Sequence, residues 1–334
     1  MTRLLSGIKP TGDLTLGNYI GAIKQFVNLQ DELEDTELFI FIADLHAITT
    51  PQDRVSLRKN IKNIAALYIA CGLDPEKVNI FIQSEVSEHA ELAYIMESTL
   101  YVGEMERMIQ YKEKKGSDEE AIRTSLLTYP ALMAADILLY DANYVPIGED
   151  QKQHLELTKT AANRFNYLYG NTFTIPEGII PKLGARIMGL QNPDNKMSKS
   201  ADKSVKDYIL LIDDLNQVRN KIKSAITDSD NLVKFDKENK PGISNLLTIY
   251  SALTNKSIKD LEEKYKNSNY GTFKSELAEV VVVELKQIQD KYNEIINSTE
   301  LDNILDKGRD NAKKIASKKL AKVYQKVGLG RKRL

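Results

Sequence analysis

The chain has 334 residues, 42% hydrophobic and 28% charged, a length that fits about two globular domains and an apolar content that excludes a wholly disordered chain. With 46 Lys and Arg against 47 Asp and Glu its net charge is −1, so no field over the whole molecule draws in nucleic acid or membrane. One cysteine (Cys71), three histidines (His46, His89, His154), no apolar run of the ~18 residues that span a bilayer and no leading secretory segment point to a cytoplasmic protein without disulfides or a structural metal.

The first half alternates strand and helix signals. Residues 3–6 form a short apolar run closed by Gly7, and Lys9-Pro10-Thr11-Gly12 reads as a loop. Thr15 stands as N-cap of a helix over residues 17–33, in which Ile20, Ile23, Phe26, Val27 and Leu29 share a face. The continuous apolar run 38–43 marks a strand buried on both sides, with Asp44 and His46 just past its C-terminal end. A helix over 54–71 closes at Gly72, a second buried strand covers 78–82, and a further helix begins near Glu88. This alternation predicts an α/β fold, a doubly wound parallel sheet with helices on both faces and ligands beyond the strands' carboxyl ends. From Val205 the apolar spacing turns helical (Leu246, Leu247, Ile249, Tyr250, Leu253), so a C-terminal α-helical module is expected from there to the end. The stretch 280–283 reads as strand or buried helix. From Asn311 onward there are nine basic residues and no acidic one, a cationic end that the overall neutrality hides.

Three segments carry chemistry. In Pro10-Thr11-Gly12-Asp13-Leu14-Thr15-Leu16-Gly17-Asn18 a loop opens onto a helix start, whose free N–H groups and positive dipole end suit phosphates. Gly17 lets a nucleotide approach the backbone and Asn18 can donate to a phosphate oxygen, although such turns are common. Lys196-Met197-Ser198-Lys199-Ser200 is more specific, since a given pentapeptide arises by chance on the order of once per ten thousand chains this long. Two lysines on a loop there can neutralise the charge that builds on departing pyrophosphate. In the helix around 129–140, Tyr129, Met133 and Asp136 fall at i, i+4 and i+7, on a face otherwise apolar through Leu132, Leu139 and Tyr140. A carboxylate on such a face must find a donor. On residue types alone a salt-bridged or helix-terminal Asp is the first reading.

Thr15-Leu16-Gly17-Asn18 and Lys196-Met197-Ser198-Lys199-Ser200 together resemble the two signatures of the class I aminoacyl-tRNA synthetases. Leu127-Thr128-Tyr129-Pro130, Met133-Ala134-Ala135-Asp136, Gly148-Glu149-Asp150-Gln151 and Gly328-Leu329-Gly330-Arg331 extend the resemblance to the bacterial tryptophanyl-tRNA synthetase family, over essentially the whole chain. The resemblance implies a Rossmann-like nucleotide-binding catalytic domain over 1–203 and an anticodon-reading C-terminal α-helical domain over 204–334, its last helix packing back on the catalytic domain. It implies ATP-dependent activation of L-tryptophan with Mg²⁺ accompanying the nucleotide, transfer to tRNA(Trp), a homodimer joined through the catalytic domain, and no membrane. It implies that Asp136 accepts the indole N–H, that Tyr129, Gln151 and His46 hold the ammonium and carboxylate end, and that Met133 and Leu5 border the ring. For ATP it implies Lys9, Pro10, Thr11, Gly17, Asn18, Gly148, Glu149, Asp150 on the ribose, Ile187 on the adenine, and Lys196, Met197, Ser198, Lys199 and Ser200. Lys196, Lys199, Asn18 and Lys115 would act on the phosphates. The chain departs from the family at Lys9, usually Gln, which adds positive charge beside ATP, and at Leu5, usually Phe, which removes an aromatic wall. A tyrosyl-tRNA synthetase, or a non-catalytic tRNA-binding paralogue, remains as an alternative.

Overall fold

The computed structural model describes residues 2–10, 12–33, 35–114, 123–148, 151–179, 186–199 and 204–331. Five strands form one sheet: β1 (Thr2–Ile8), β2 (Thr36–Ile42), β3 (Val78–Ile82), β4 (Tyr144–Pro146) and β5 (Glu177–Ile179), in the order β3-β2-β1-β4-β5, every pairing parallel. Side chains of β2 alternate between two cores. Leu38, Ile40 and Ile42 join Leu4, Val78 and Ile80 on one face, while Phe39 and Phe41 join Leu5 and Phe81 on the other. Because neither face is wet, these strands read as unbroken apolar runs rather than as polar alternation. β4 and β5, three residues each and carrying Pro146 and Gly178, have residue types that argue against a strand and go unseen in the sequence.

Helices fill the crossovers. α1 (Leu16–Asn18), a π-helical turn (Tyr19–Ile23) and α2 (Lys24–Glu32) follow β1; α3 (Asp44–Ala47) and α4 (Arg54–Ala70) follow β2; α5 (Glu88–Glu97), α6 (Val102–Met105), α7 (Ile109–Lys114) and α8 (Thr124–Leu139) lie between β3 and β4; α9 (Lys152–Tyr169) precedes β5. Thr15 is the N-cap: its hydroxyl accepts from the Asn18 N–H at 3.2 Å, and Asn18 Oδ1 accepts from the Thr15 N–H at 2.9 Å, a reciprocal capping box.

Beyond β5 come α10 (Leu215–Lys223), α11 (Pro241–Thr254), α12 (Ile258–Lys264), α13 (Tyr270–Ile295) and α14 (Thr299–Val327). The ambiguous stretch 280–283 is helix, inside α13, with Val281 and Val282 buried and Val283 exposed. The core under Leu38 and Ile40 runs without a break into α11 and α13 through Ile23, Ala65, Leu246, Val281 and Leu285. α14 crosses the edge strand β3. Leu301 and Leu305 stand in that first core, and Ala312, Ala316, Leu320 and Val323 in the second. At the crossing a β-carbon on Gly308 would overlap the Ile80 carbonyl, so glycine alone brings the helix backbone against the strand. The cover removes an exposed sheet edge. Lys319 is buried there and donates to Asp141 Oδ1 at 2.6 Å and to the Thr172 carbonyl at 2.8 Å.

Candidate active site

The strand order reverses between β1 and β4, and crevices in open parallel sheets form at such switch points, past the carboxyl ends. A cavity of about 210 Å³ opens there. Leu5 and Gly7 come from β1 and Lys9 from the loop behind it. Phe41 comes from β2, with Ala43 and His46 beyond its end, and Val145 and Pro146 from β4, followed by Ile147. Tyr129, Met133, Asp136 and Ile137 come from α8, Gln110 from α7, and Gln151 and His154 from the start of α9. Gly7 is needed because Phe41, its register partner, fills the space a side chain there would take, its ring 2.7 Å from the place of a β-carbon. The i, i+4, i+7 face of α8 points into this cavity as its spacing predicts, and all six residues expected around tryptophan line it.

Asp136 is 1% exposed and far from alone. His46 Nε2 lies 2.7 Å from Oδ2, while His89 Nδ1 at 2.6 Å and Gln83 Nε2 at 2.7 Å meet Oδ1. A carboxylate only accepts, so both imidazole nitrogens facing it carry protons. His89 Nε2 then meets the Tyr140 hydroxyl at 2.8 Å, and Gln83 Oε1 accepts from the Leu45 N–H at 3.2 Å, which turns its amide nitrogen to the acid. Burial pushes the Asp136 carboxyl up, but His46 and His89 more than offset it and hold the group below the usual carboxylate range. Asp136 is therefore an anion at neutral pH. Among the described residues Oδ1 has two donors and Oδ2 one, so Oδ2 can accept one more, from a ligand. Asp136 is thus salt-bridged, the first reading of its residue type on an apolar face, and His46, expected at the ammonium and carboxylate end of a ligand, meets the acid through Nε2. Gln83, His89 and Tyr140 escape the sequence reading as polar partners; the signal for the first two was their place just after β3, at the ligand-binding end of the sheet.

The other end of the cavity is polar. Tyr129 is hydrogen-bonded to His154 Nε2, and burial pushes its phenol up to about 12, so it is neutral at pH 7. Lys9 Nζ stands 5.7 Å from the Tyr129 ring centroid. Gln110 and His154 line this end without having been anticipated.

A second cavity, of about 270 Å³, joins the two motif segments: Gly12, Asp13, Thr15 and Asn18 on one side, Lys196, Met197, Ser198 and Lys199 on the other. Lys9 lines the first cavity and Gly12 the second, so three residues of chain, at most about 11 Å, separate them. Lys199 Nζ donates to Asp13 Oδ2 at 2.7 Å, which holds the lysine protonated above its usual range. Asn18 uses Oδ1 on Thr15, leaving its amide NH₂ as the donor. Met197 Cβ and Ile187 Cβ stand 3.3 Å and 3.6 Å from where a Gly17 β-carbon would be, and both residues are buried, so the open side of Gly17 faces the hairpin that carries Lys196. Pro10 and Gly148 follow β1 and β4 on either side of the switch point. Thr11, Lys115, Glu149, Asp150 and Ser200 lie outside the described residues.

A family profile described as tRNA synthetases class I (W and Y) matches residues 1–286. Curated Tryptophan--tRNA ligases of Bacillus subtilis (strain 168) and Bacillus anthracis are 59% and 56% identical, over 99% and 100% of this chain and 98% and 100% of their own lengths. Among solved structures, tryptophanyl-tRNA synthetase from Mycoplasma pneumoniae is 39% identical at a TM-score of 0.87, covering 99% of this chain and 98% of its own. The enzyme of Campylobacter jejuni complexed with ADP and tryptophane is 38% identical at 0.83, covering 98% and 100%. The chain belongs to the class I tRNA synthetases, in the family of the W and Y enzymes. Within it, relatives more than half identical carry the tryptophan name, whereas tyrosyl-tRNA synthetase from Aeropyrum pernix, at 18% identity and a TM-score of 0.67, shares the fold alone.

Proposed function

We propose that this chain activates L-tryptophan with ATP, giving tryptophanyl-adenylate and pyrophosphate, and passes the tryptophanyl group to tRNA(Trp), releasing AMP. The observation that carries the choice of amino acid is the buried Asp136 anion lining the cavity, whose Oδ2 has His46 as its one donor among the described residues. The indole N–H is a donor for that oxygen, and a side chain lacking it would leave the acid short of a partner. Met133 and Leu5 border the ring. Tyr129, Gln151 and Gln110 place the ammonium and carboxylate.

The substrate carboxylate then bonds to the α-phosphorus as the bond to the bridging oxygen breaks, and pyrophosphate leaves with the electron pair. No side-chain nucleophile is required, and holding the reactants in line is worth about 7–11 kcal/mol. Lys196 and Lys199 meet the charge developing on pyrophosphate, a contribution of about 3–4 kcal/mol for one well-placed group. In the second step a terminal ribose hydroxyl of the tRNA attacks the adenylate carbonyl and AMP leaves. Mg²⁺ comes as the ion of the ATP substrate.

The remaining assignments follow from the same reading. Residues 1–203 form the catalytic unit, and 204–334 the part that meets the anticodon, its basic end adding phosphate contacts. A homodimer is supported by Tyr94, Tyr101, Val102 and Ile109, large apolar side chains left exposed between α5 and α7. No helix among the described residues is long and apolar enough to cross a membrane.

The test is ATP–pyrophosphate exchange with tryptophan, tyrosine and phenylalanine. Tryptophan-dependent exchange should exceed the others by about 10⁴-fold or more. A larger tyrosine signal would replace the substrate, and tRNA binding without any exchange would replace the activity.

A further inference from the structure

The hairpin that carries Lys196 is held from outside the catalytic sheet. Met188 pairs with Lys196 in an antiparallel bridge, flanked by two backbone bonds: the Gly189 N–H to the Asn195 carbonyl at 2.8 Å and the Met197 N–H to the Ile187 carbonyl at 2.9 Å. In such a ladder the residue between two bonded pairs turns its own N–H and carbonyl outward. Met188 therefore presents a donor and an acceptor to the open edge of the hairpin. Asn245, on the first turns of α11 and 5% exposed, takes both. The Met188 N–H donates to Asn245 Oδ1 at 2.9 Å and Asn245 Nδ2 donates to the Met188 carbonyl at 2.9 Å. The carboxamide thus acts as a one-residue added strand. Among side chains of this size only Asn carries a donor and an acceptor side by side: Asp lacks the donor and Leu lacks both. Asp207 pins the hairpin's turn, its Oδ1 accepting from the Gln191 and Asn192 N–H groups at 2.8 Å and 2.9 Å. None of the atoms in the Asn245 bridge faces the amino-acid cavity.

We propose that Asn245 is a positioning residue for adenylate formation: from α11 it fixes the register of the hairpin that presents Lys196 to the phosphates, without touching either substrate. The proposal rests on the adenylation reaction above. α11 buries Ile243, Leu246, Leu247 and Ile249 together with two polar residues, Ser244, which accepts from the Asp236 N–H, and Asn245, whose whole carboxamide is spent on the hairpin. Register matters here because Lys196 stands opposite Met188, and a one-residue slip would turn the lysine to the other face of the hairpin.

The experiment compares Asn245→Asp and Asn245→Ala, each alone and combined with Lys196→Ala, by pyrophosphate exchange with tryptophan and ATP varied, alongside tryptophan binding followed by ligand fluorescence. Each single variant should lose tenfold or more in kcat, with KM and binding for tryptophan within twofold of the parent. On the Lys196→Ala background the same changes should cost less than a further twofold. The proposal is overturned if kcat stays within twofold of the parent, if tryptophan binding weakens in step with kcat, or if the loss on the Lys196→Ala background equals the loss alone, the mark of general damage. Should Asn245→Ala not fold, Asn245→Asp decides, because it keeps the size and the acceptor for the Met188 N–H. A parent enzyme inactive with tryptophan would instead sink the adenylation reading, so the two failures are distinct.

Discussion

Replacing Asp136 by Asn removes the charge while keeping the shape. Three donors converge on this carboxylate, from His46, His89 and Gln83. An alanine would strand all three, at about 1–3 kcal/mol each, a total that rivals a typical folding free energy of about 5–15 kcal/mol. Asparagine keeps one oxygen for His89 and Gln83 and turns an NH₂ toward His46, so a single donor is left opposed, costing about 1–3 kcal/mol, and the protein still folds. The ligand loses more specifically. Its indole N–H meets a donor in place of an anion, and a hydrogen bond to a charged group is worth about 1.5–3 kcal/mol, or roughly 10- to 150-fold in affinity. The chain has no tryptophan, so indole emission excited beyond the absorption of its 16 tyrosines belongs to the ligand, and titration reads the pocket directly. Asp136→Asn should weaken tryptophan binding by one to two orders of magnitude and leave ATP binding within twofold. Unchanged tryptophan affinity in a folded Asp136→Asn protein would refute the assignment of the acid.

The same carboxylate governs part of the acid stability. Its pKa is depressed in the folded state, so its contribution is present above the unfolded value near ~3.9 and disappears as pH falls toward the folded one, at up to about 1.4 kcal/mol per pH unit. Urea unfolding should thus show the parent losing stability below about pH 4 more steeply than Asp136→Asn; superimposable pH profiles would contradict this. Leu5 lines the cavity, and Leu5→Phe would add an aromatic wall worth about 0.5–1.5 kcal/mol, so tryptophan should bind roughly 2- to 12-fold tighter; equal affinities dispose of the idea. Gly308→Ala drives a methyl into the Ile80 carbonyl and should destabilise by about 3 kcal/mol, read as a lower urea midpoint. An unshifted midpoint would mean that α14 does not lie against β3.

What was legible in the residues was local. β2 and β3 are unbroken apolar runs because both faces are buried, and Thr15 and Asn18 cap a helix through bonds three residues apart. The face carrying Tyr129, Met133 and Asp136 follows from helical spacing alone. What holds Asp136 was not legible, since Gln83, His89 and His46 approach from 53, 47 and 90 residues away and only the folded sheet brings their carriers together. β4 and β5 were hidden by brevity and by Pro146 and Gly178, and the need for Gly308 appears only once α14 meets β3. Gly17 is a related case. A glycine at a helix start offers room to whatever comes near, and here that is Met197 from 180 residues further along.

The most direct check is the distance between the indole nitrogen and Asp136 Oδ2 in a crystal of this protein soaked with tryptophan. A separation of about 2.7–3.2 Å is expected, with His46, His89 and Gln83 still on the acid. An indole nitrogen beyond about 3.5 Å, or one bonded to a different group, would contradict the proposed basis of substrate choice.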